Sequence, residues 1–153
     1  MRPCATPVAD LLPHAPPMVL LDAVLGWDHG QARAVVTIRP DSPFCEPGQG
    51  VPAHVGIEYM AQACGVYAGL EATSQGLPVR LGYLLGTRRF HAAVGWFRVG
   101  DRLEISVSEV FRDQSMGVFD CRIDCAGREV AAAQLNVYQP EDAPAVLGGS
   151  SGE

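Results

Sequence analysis

The stretch that decides the fold is AHVGIEYMAQACGVYAGLEAT, residues 53–73. It contains no proline, and its apolar residues cover most of the surface of a helix. A helix that is apolar nearly all round belongs in the interior of a domain. Pro52 stands before its first turn, and Ser74-Gln-Gly76 followed by Pro78 ends it. The stretch therefore predicts one long buried helix.

Strand patterns flank this helix on both sides. Before it, residues 18–27 form an extended apolar run and residues 31–39 alternate with the period of a strand. The strand signals after it lie at residues 81–90, 102–108, 118–125 and 131–137, with a tight turn at Ala126-Gly127. Residues 7–12 favour a short helical turn. Consecutive strands joined by short turns pair antiparallel, so we predict an α+β domain whose antiparallel sheet wraps around the one long central helix.

Length and composition indicate a single domain. A chain of 153 residues with 48% hydrophobic content buries enough surface to fold alone. We assign residues 1–140 to the domain and expect residues 141–153, rich in small residues, turn formers and acids, to form a flexible tail. Prolines interrupt the N-terminal apolar residues, which leaves no secretory or membrane-spanning segment, so we expect a cytoplasmic protein that makes no contact with a membrane.

The charged residues and the cysteines exclude several functions. The net charge is −6 and the eleven basic residues are all arginine. Without lysine, Schiff-base and pyridoxal chemistry are excluded, and an acidic chain is a poor binder of nucleic acid. Five cysteines without a Cys-x-x-Cys pair suit neither a disulfide framework nor a metal site.

The start of the long helix carries the candidate chemistry. His54 and Glu58 are four residues apart, which predicts that both lie on one helix face and reach each other. Gln62, Gly65 and Gly69 continue this row as a narrow polar stripe. A buried carboxylate is costly, so a fold keeps Glu58 either for a task or with structural partners, and both interpretations stay open.

Four motifs in order resemble the 3-hydroxyacyl-[acyl carrier protein] dehydratases: residues 12–22, 52–62, 89–90 and 100–103. The likeness is strongest to the small dehydratase-like proteins of aryl-polyene pathways, through residues 56–62, 84–88 and 135–140. This resemblance implies the hotdog fold and a homodimer, or a heterodimer with a related hotdog subunit, that has its sites at the interface. It also implies substrates carried on the phosphopantetheine of acyl carrier protein or coenzyme A, without another cofactor.

The resemblance also implies roles for single residues. Glu58 matches the family's catalytic acid, but the loop position from which a partner subunit supplies a histidine is occupied by Phe44. The amide of Ala53 or His54 would bind the thioester carbonyl. Because a helix dipole disfavours an imidazolium, we predict His54 as the base and Glu58 as the acid or hydroxyl anchor. The further substrate-binding candidates are Gln62, His14 near the site entrance, and Arg89 toward the phosphopantetheine phosphate or the carrier protein.

Three functions remain open at this point. The first is dehydration of 3-hydroxyacyl thioesters in fatty-acid or polyene-type biosynthesis. The second is thioester hydrolysis, since hotdog thioesterases place a carboxylate on the same helix. The third is a non-catalytic role as the subunit that lends Glu58 to a histidine-bearing partner.

Overall fold

The computed structural model describes residues 3, 4, 6–8, 11, 19–79 and 82–139. The strands are β1 (Ala23–Asp28), β2 (Gln31–Thr37), β3 (Val51–Pro52), β4 (Tyr83–Ala92), β5 (Trp96–Phe97), β6 (Arg102–Asp113), β7 (Met116–Cys125) and β8 (Arg128–Tyr138). A 3₁₀ turn (Ala53–Val55) leads into the helix α1 (Gly56–Ser74). The predicted order of two strands, one long helix and four strands is confirmed. The predicted turn at 7–12 and the tail at 141–153 lie largely or wholly outside the described residues.

Six strands form one antiparallel sheet in the order β1-β2-β6-β7-β8-β4. β3 and β5 form a separate ladder of two residues each, with Val51 opposite Phe97. No sequence pattern predicts this ladder, because two residues are too few to show a strand period. It matters for the site because β3 leads directly into the turn before α1.

Alternation along the central strands builds the core. Three residues of β6 are buried: Leu103, Ile105 and Val107. They pair in register with Cys125, Ile123 and Cys121 of β7, respectively. Their neighbours in sequence point to the outer face of the sheet. The inner face packs on α1, which contacts every strand of the six-stranded sheet. This sheet wrapped around one helix is the hotdog fold, as the resemblance implied.

The start of α1 differs from the prediction. The α-helix begins at Gly56, and residues 53–55 form a 3₁₀ turn instead. Gly56 lies so close to β7 that an added Cβ would be 3.0 Å from Cδ1 of Ile123 and 3.3 Å from the ring of Phe97. The helix ends at Ser74, within the predicted stop signal, and Gly76 two residues later has a φ of 72°, a left-handed conformation that suits glycine. Within the described residues, no helix is long and apolar enough to cross a membrane.

Candidate functional site

A cavity of about 560 Å³ lies between α1 and the neighbouring ends of β4, β6, β7 and β8. Glu58 lines it from the first turn of α1. Beyond Glu58, the helix contributes Ala61, Gly65, Ala68 and Ala72, which are spaced by three or four residues and therefore share one helix face. Because these residues are small, the helix leaves space here instead of filling it.

The predicted polar stripe from Glu58 through Gln62 and Gly69 is corrected by this geometry. Gln62 is only 1% exposed, and its Oε1 accepts a hydrogen bond of 2.8 Å from the amide of Leu20. Gly69 packs against Leu11, since an added Cβ would lie 2.9 Å from the Leu11 carbonyl oxygen. Both residues therefore attach the N-terminal segment to α1. A substrate contact for Gln62 stays a prediction.

His54 is not on the same helix as Glu58. It lies exposed in the 3₁₀ turn, whereas Glu58 is half-buried in the first turn of α1. The i,i+4 argument assumes α-helical geometry at both residues, whereas a 3₁₀ turn has three residues per turn. The approach of the two side chains on one helix face therefore stays a prediction.

One of the two predicted carbonyl-binding amides is already occupied. The amide of Ala53 donates a hydrogen bond of 3.0 Å to the carbonyl oxygen of Gly95. The next amide, that of His54, belongs to the first turn, where backbone amides have no partner within the helix. Of the two, the His54 amide therefore stays the candidate donor.

Arg89 lies apart from Glu58. Its φ of 57° accompanies a break in the β4–β8 register between Arg88 and His91. It lines an open groove of about 720 Å³ on the outer face of the sheet, together with Arg33 and Arg122. The structure therefore does not bring Arg89 to the Glu58 cavity, and a carrier-protein contact stays a prediction. His14 lies outside the described residues.

A polar network that the sequence did not reveal borders the cavity, and its members Glu109 and Arg112 line it. Nε and Nη2 of Arg112 both lie 2.8 Å from Oε2 of Glu109. The Tyr67 hydroxyl is 3.5 Å from Oε1 of Glu109 and accepts a hydrogen bond of 3.0 Å from the amide of Gly30. Burial raises the pKa of Tyr67 to about 12, against a smaller lowering by that Gly30 amide, so the hydroxyl stays protonated at neutral pH. These residues are distant in sequence, which is why no local pattern connects them.

The cysteines contribute no nucleophile to the cavity. All five are free, and Cys64, which lines the cavity, is 1% exposed with its Sγ 3.8 Å from that of Cys121. Burial raises the pKa of the Cys64 thiol well above its usual value, so the thiol is neutral and unreactive, as the sequence indicated. Among the described residues, no group of three or more His, Cys, Asp and Glu side chains is placed to hold a metal ion.

Fold and cavity together define the class of protein. A carboxylate in the first turn of the central helix, at one end of a cavity with a largely small and apolar helix wall, is suited to proton transfer on a bound organic group. The chain is a hotdog protein with a helix-borne carboxylate site.

Comparison with known proteins identifies the family. The model of the ApeP-like family, described as ApeP dehydratase, matches residues 6–148. The 3-hydroxyacyl-[acyl-carrier-protein] dehydratase FabZ of Shewanella denitrificans is 30% identical over 139 residues, which cover 78% of this chain and 89% of the relative. The FabZ of Yersinia enterocolitica is also 30% identical, over 147 residues covering 92% and 85% of the two chains. The chain therefore belongs to the ApeP-like dehydratase family, as the sequence motifs predicted.

Two solved structures show the same fold as this chain. A chain of the dehydratase heterocomplex ApeI:P from Xenorhabdus doucetiae is 35% identical, with a TM-score of 0.86 and coverage of 91% of this chain and 94% of the other. A hypothetical thioesterase from Streptococcus pneumoniae, solved with coenzyme A, is 16% identical with a TM-score of 0.60 and coverage of 76% and 84%. The second likeness shows the hotdog fold alone.

Proposed function

We propose that this chain takes part in the dehydration of 3-hydroxyacyl thioesters carried on acyl carrier protein, with Glu58 as the acidic catalytic residue. The observation that carries the proposal is the position of Glu58 at one end of the cavity along α1. The cavity's volume of about 560 Å³ falls within the range of small-molecule sites, about 300–1,000 Å³. Membership of the dehydratase family supports the same reaction.

The reaction requires three functions from the site. A base removes the proton from the carbon next to the thioester carbonyl, an acid protonates the departing hydroxyl, and donors stabilise the negative charge on the carbonyl oxygen. The C–O bond breaks as the C=C bond forms, and water leaves. Glu58 supplies one of the two proton-transfer groups, and the His54 amide is the proposed oxygen donor. The elimination changes no net oxidation state, so we expect no redox cofactor, and no cofactor other than the phosphopantetheine that carries the substrate.

We further propose that the second proton-transfer group comes from a related hotdog subunit. Among the described residues that line the cavity there is no histidine. Phe44 occupies the loop position that carries a histidine in the dehydratases this chain resembles, and its side chain is 52% exposed. The similar ApeI:P protein is named as a heterocomplex. A heterodimer in which this chain provides Glu58 and the partner provides histidine is consistent with these observations.

Two histidines of this chain are the competing sources. His54 is exposed near the start of α1, and His14 lies in the N-terminal segment. Either would allow a homodimer to be active alone.

We expect the protein to act in the cytoplasm, where acyl carrier proteins are used.

The test is reconstitution. The purified chain is incubated with a 3-hydroxyacyl thioester of acyl carrier protein, alone and mixed with a related hotdog subunit, and the enoyl product is followed by its ultraviolet absorbance and by loss of one water in intact mass. We expect dehydration only in the mixture. Activity of the chain alone that disappears in His54→Ala or His14→Ala would replace the partner by that histidine.

Glu58→Gln tests the catalytic acid in the same assay. We expect the rate to fall by about 10²–10⁴-fold, the usual contribution of a positioned acid–base group. Glu71→Gln is the matched control, because Glu71 is on the same helix, pairs with His29 at the surface and is not in the cavity wall. Equal rates for Glu58→Gln and the control would contradict the proposal. Release of a free thiol instead of an enoyl product would assign hydrolysis.

A further inference from the structure

The cavity continues well beyond the proposed catalytic carboxylate. From Glu58 to Ala72 the helix wall spans fourteen residues, or about 21 Å at 1.5 Å per residue. The opposite wall includes the apolar side chains of Phe119, Val137 and Leu84. This shape and surface suit an extended acyl chain whose thioester end lies at Glu58.

The Glu109–Arg112 pair lies toward the far end of this path. β7 runs antiparallel to α1: Gly56 packs on Ile123, and Tyr67 packs on Phe119 with ring centroids 5.7 Å apart. Arg112 pairs in register with Gly117. Gly117 lies two residues beyond Phe119 in the direction that leads away from Ile123. The pair therefore lies level with the second half of the helix, away from Glu58.

A β-bulge places both charged residues on the inner face. Residues three apart in a regular strand point to opposite faces of the sheet. The register of β6 and β7 shifts between Glu109 and Phe111, so that Glu109 opposes Phe119 and Arg112 opposes Gly117, both on the inner face. An added Cβ at Gly117 would lie 3.0 Å from the Phe119 ring and 3.6 Å from Oε2 of Glu109, so glycine leaves room for these side chains.

The pair is also held in place. Arg112 donates through two nitrogens to Oε2 of Glu109, and the Glu109 amide donates a hydrogen bond of 2.7 Å to the carbonyl oxygen of Gly30. The Gly30 amide in turn holds the Tyr67 hydroxyl beside Oε1. An alkyl end that reaches this pair removes water from two charged groups and offers no hydrogen bond in return, which is unfavourable.

We propose that the Glu109–Arg112 pair is the distal wall of the acyl-binding cavity and determines the longest alkyl chain that the site accepts. This inference rests on the proposed function, because it takes the acyl group as the occupant of the cavity. Glu109 and Arg112 act on chain length and take no part in proton transfer.

The experiment measures binding separately from turnover. Unreactive acyl-pantetheine thioethers of increasing chain length are titrated into the wild-type protein, with its related subunit present if that is needed for activity. Each added methylene should tighten binding by about four-fold until the chain reaches the pair, after which the affinity stops rising. In the double variant Glu109→Ala/Arg112→Ala, which leaves no unpaired charge, the rise should continue and the longest thioethers should bind at least about ten-fold more tightly than to wild type.

Arg122→Ala/Asp124→Ala is the matched control. Nε of Arg122 lies 3.0 Å from Oδ2 of Asp124, and the two side chains are 56% and 20% exposed. The corresponding values for Arg112 and Glu109 are 2.8 Å, 51% and 15%. It should keep the wild-type length limit. Circular dichroism checks that each variant is folded. If the double variant does not fold, Ala72→Leu narrows the same end of the cavity from the helix and should move the limit to shorter chains.

The outcomes separate this inference from the proposed function. An identical length limit in wild type and double variant, or no shift in Ala72→Leu if the double variant fails to fold, overturns the inference. A limit that shifts as expected while no thioester is dehydrated supports the acyl cavity and contradicts the dehydratase function. Dehydration without a shift in the limit contradicts the distal wall alone.

Discussion

The two faces of α1 are both largely apolar but have opposite effects. One face carries Tyr59, Met60, Val66 and Leu70, which are all buried against the sheet and the N-terminal segment. The other carries Ala61, Gly65, Ala68 and Ala72, which are half-buried and border the cavity. What separates the faces is side-chain size more than polarity. The large residues fix the helix in the sheet, and the small ones keep a space beside it.

This division explains how Glu58 is positioned. It belongs to the open face, shortly after a turn that is attached to the segment before β5 by the Ala53–Gly95 hydrogen bond. Tyr59 and Met60, its neighbours in sequence, are anchored on the packed face. These two buried side chains, which directly follow Glu58, fix the first turn of α1 and so keep Glu58 at the cavity.

The largest effect on stability is expected from the packed face. Met60→Ala removes a side chain with no solvent exposure and should lower the free energy of unfolding by about 2–5 kcal/mol, measured by urea denaturation. Ala61→Ser, one residue further on the open face, should change it by less than about 1 kcal/mol. Similar losses for the two variants would remove the distinction between the faces.

A smaller loss is expected from Gln62→Leu. The change keeps a similar volume but leaves the amide of Leu20 without its acceptor, which costs about 1–3 kcal/mol of unfolding free energy. Gln75→Leu, at the exposed end of the helix, is the control and should stay within about 0.5 kcal/mol of wild type. If Gln62→Leu keeps its stability and instead raises KM for the thioester, Gln62 binds substrate after all.

The smallest effect on stability, but a clear one on selectivity, is expected from Ala68→Leu. Leucine extends from the open face into existing space, so the free energy of unfolding should change by less than about 1.5 kcal/mol. The ratio of kcat/KM for long over short acyl chains should fall by about ten-fold, since roughly two methylenes lose their place. An unchanged ratio would mean that the acyl chain does not lie along this face.

The sequence predicted those features that depend on local periodicity. The alternation in β2, β6, β7 and β8 and the proline-free apolar run of α1 placed the elements, and family motifs marked Glu58. The β3–β5 ladder was not predicted because two residues per strand are too few to show an alternation. The exact start of α1 escaped because the residues of a 3₁₀ turn and of a first α-helical turn are chemically alike.

The cavity wall could not be predicted from the sequence for a different reason. Alanines in a helix are usually good helix formers and nothing more, so Ala61, Ala68 and Ala72 carry no signal of a binding surface. The bulge at Glu109–Phe111 ends the strand period, and the pattern gave no sign that Glu109 and Arg112 share a face. A search for small residues spaced by three and four from Glu58 would have found the helix wall. The Glu109–Arg112 pair could not have been found in this way, because it depends on the register between β6 and β7.

The hydrogen bond from the Ala53 amide to Gly95 has a consequence for the evolution of the site. Both groups are backbone atoms, so the start of α1 is held to the segment before β5 by a contact that needs no particular side chain at position 53 or 95. Homologues can therefore keep this attachment with other small residues at position 53, where the Ala53 side chain is buried. The one residue type that removes the attachment at position 53 is proline, which has no amide hydrogen.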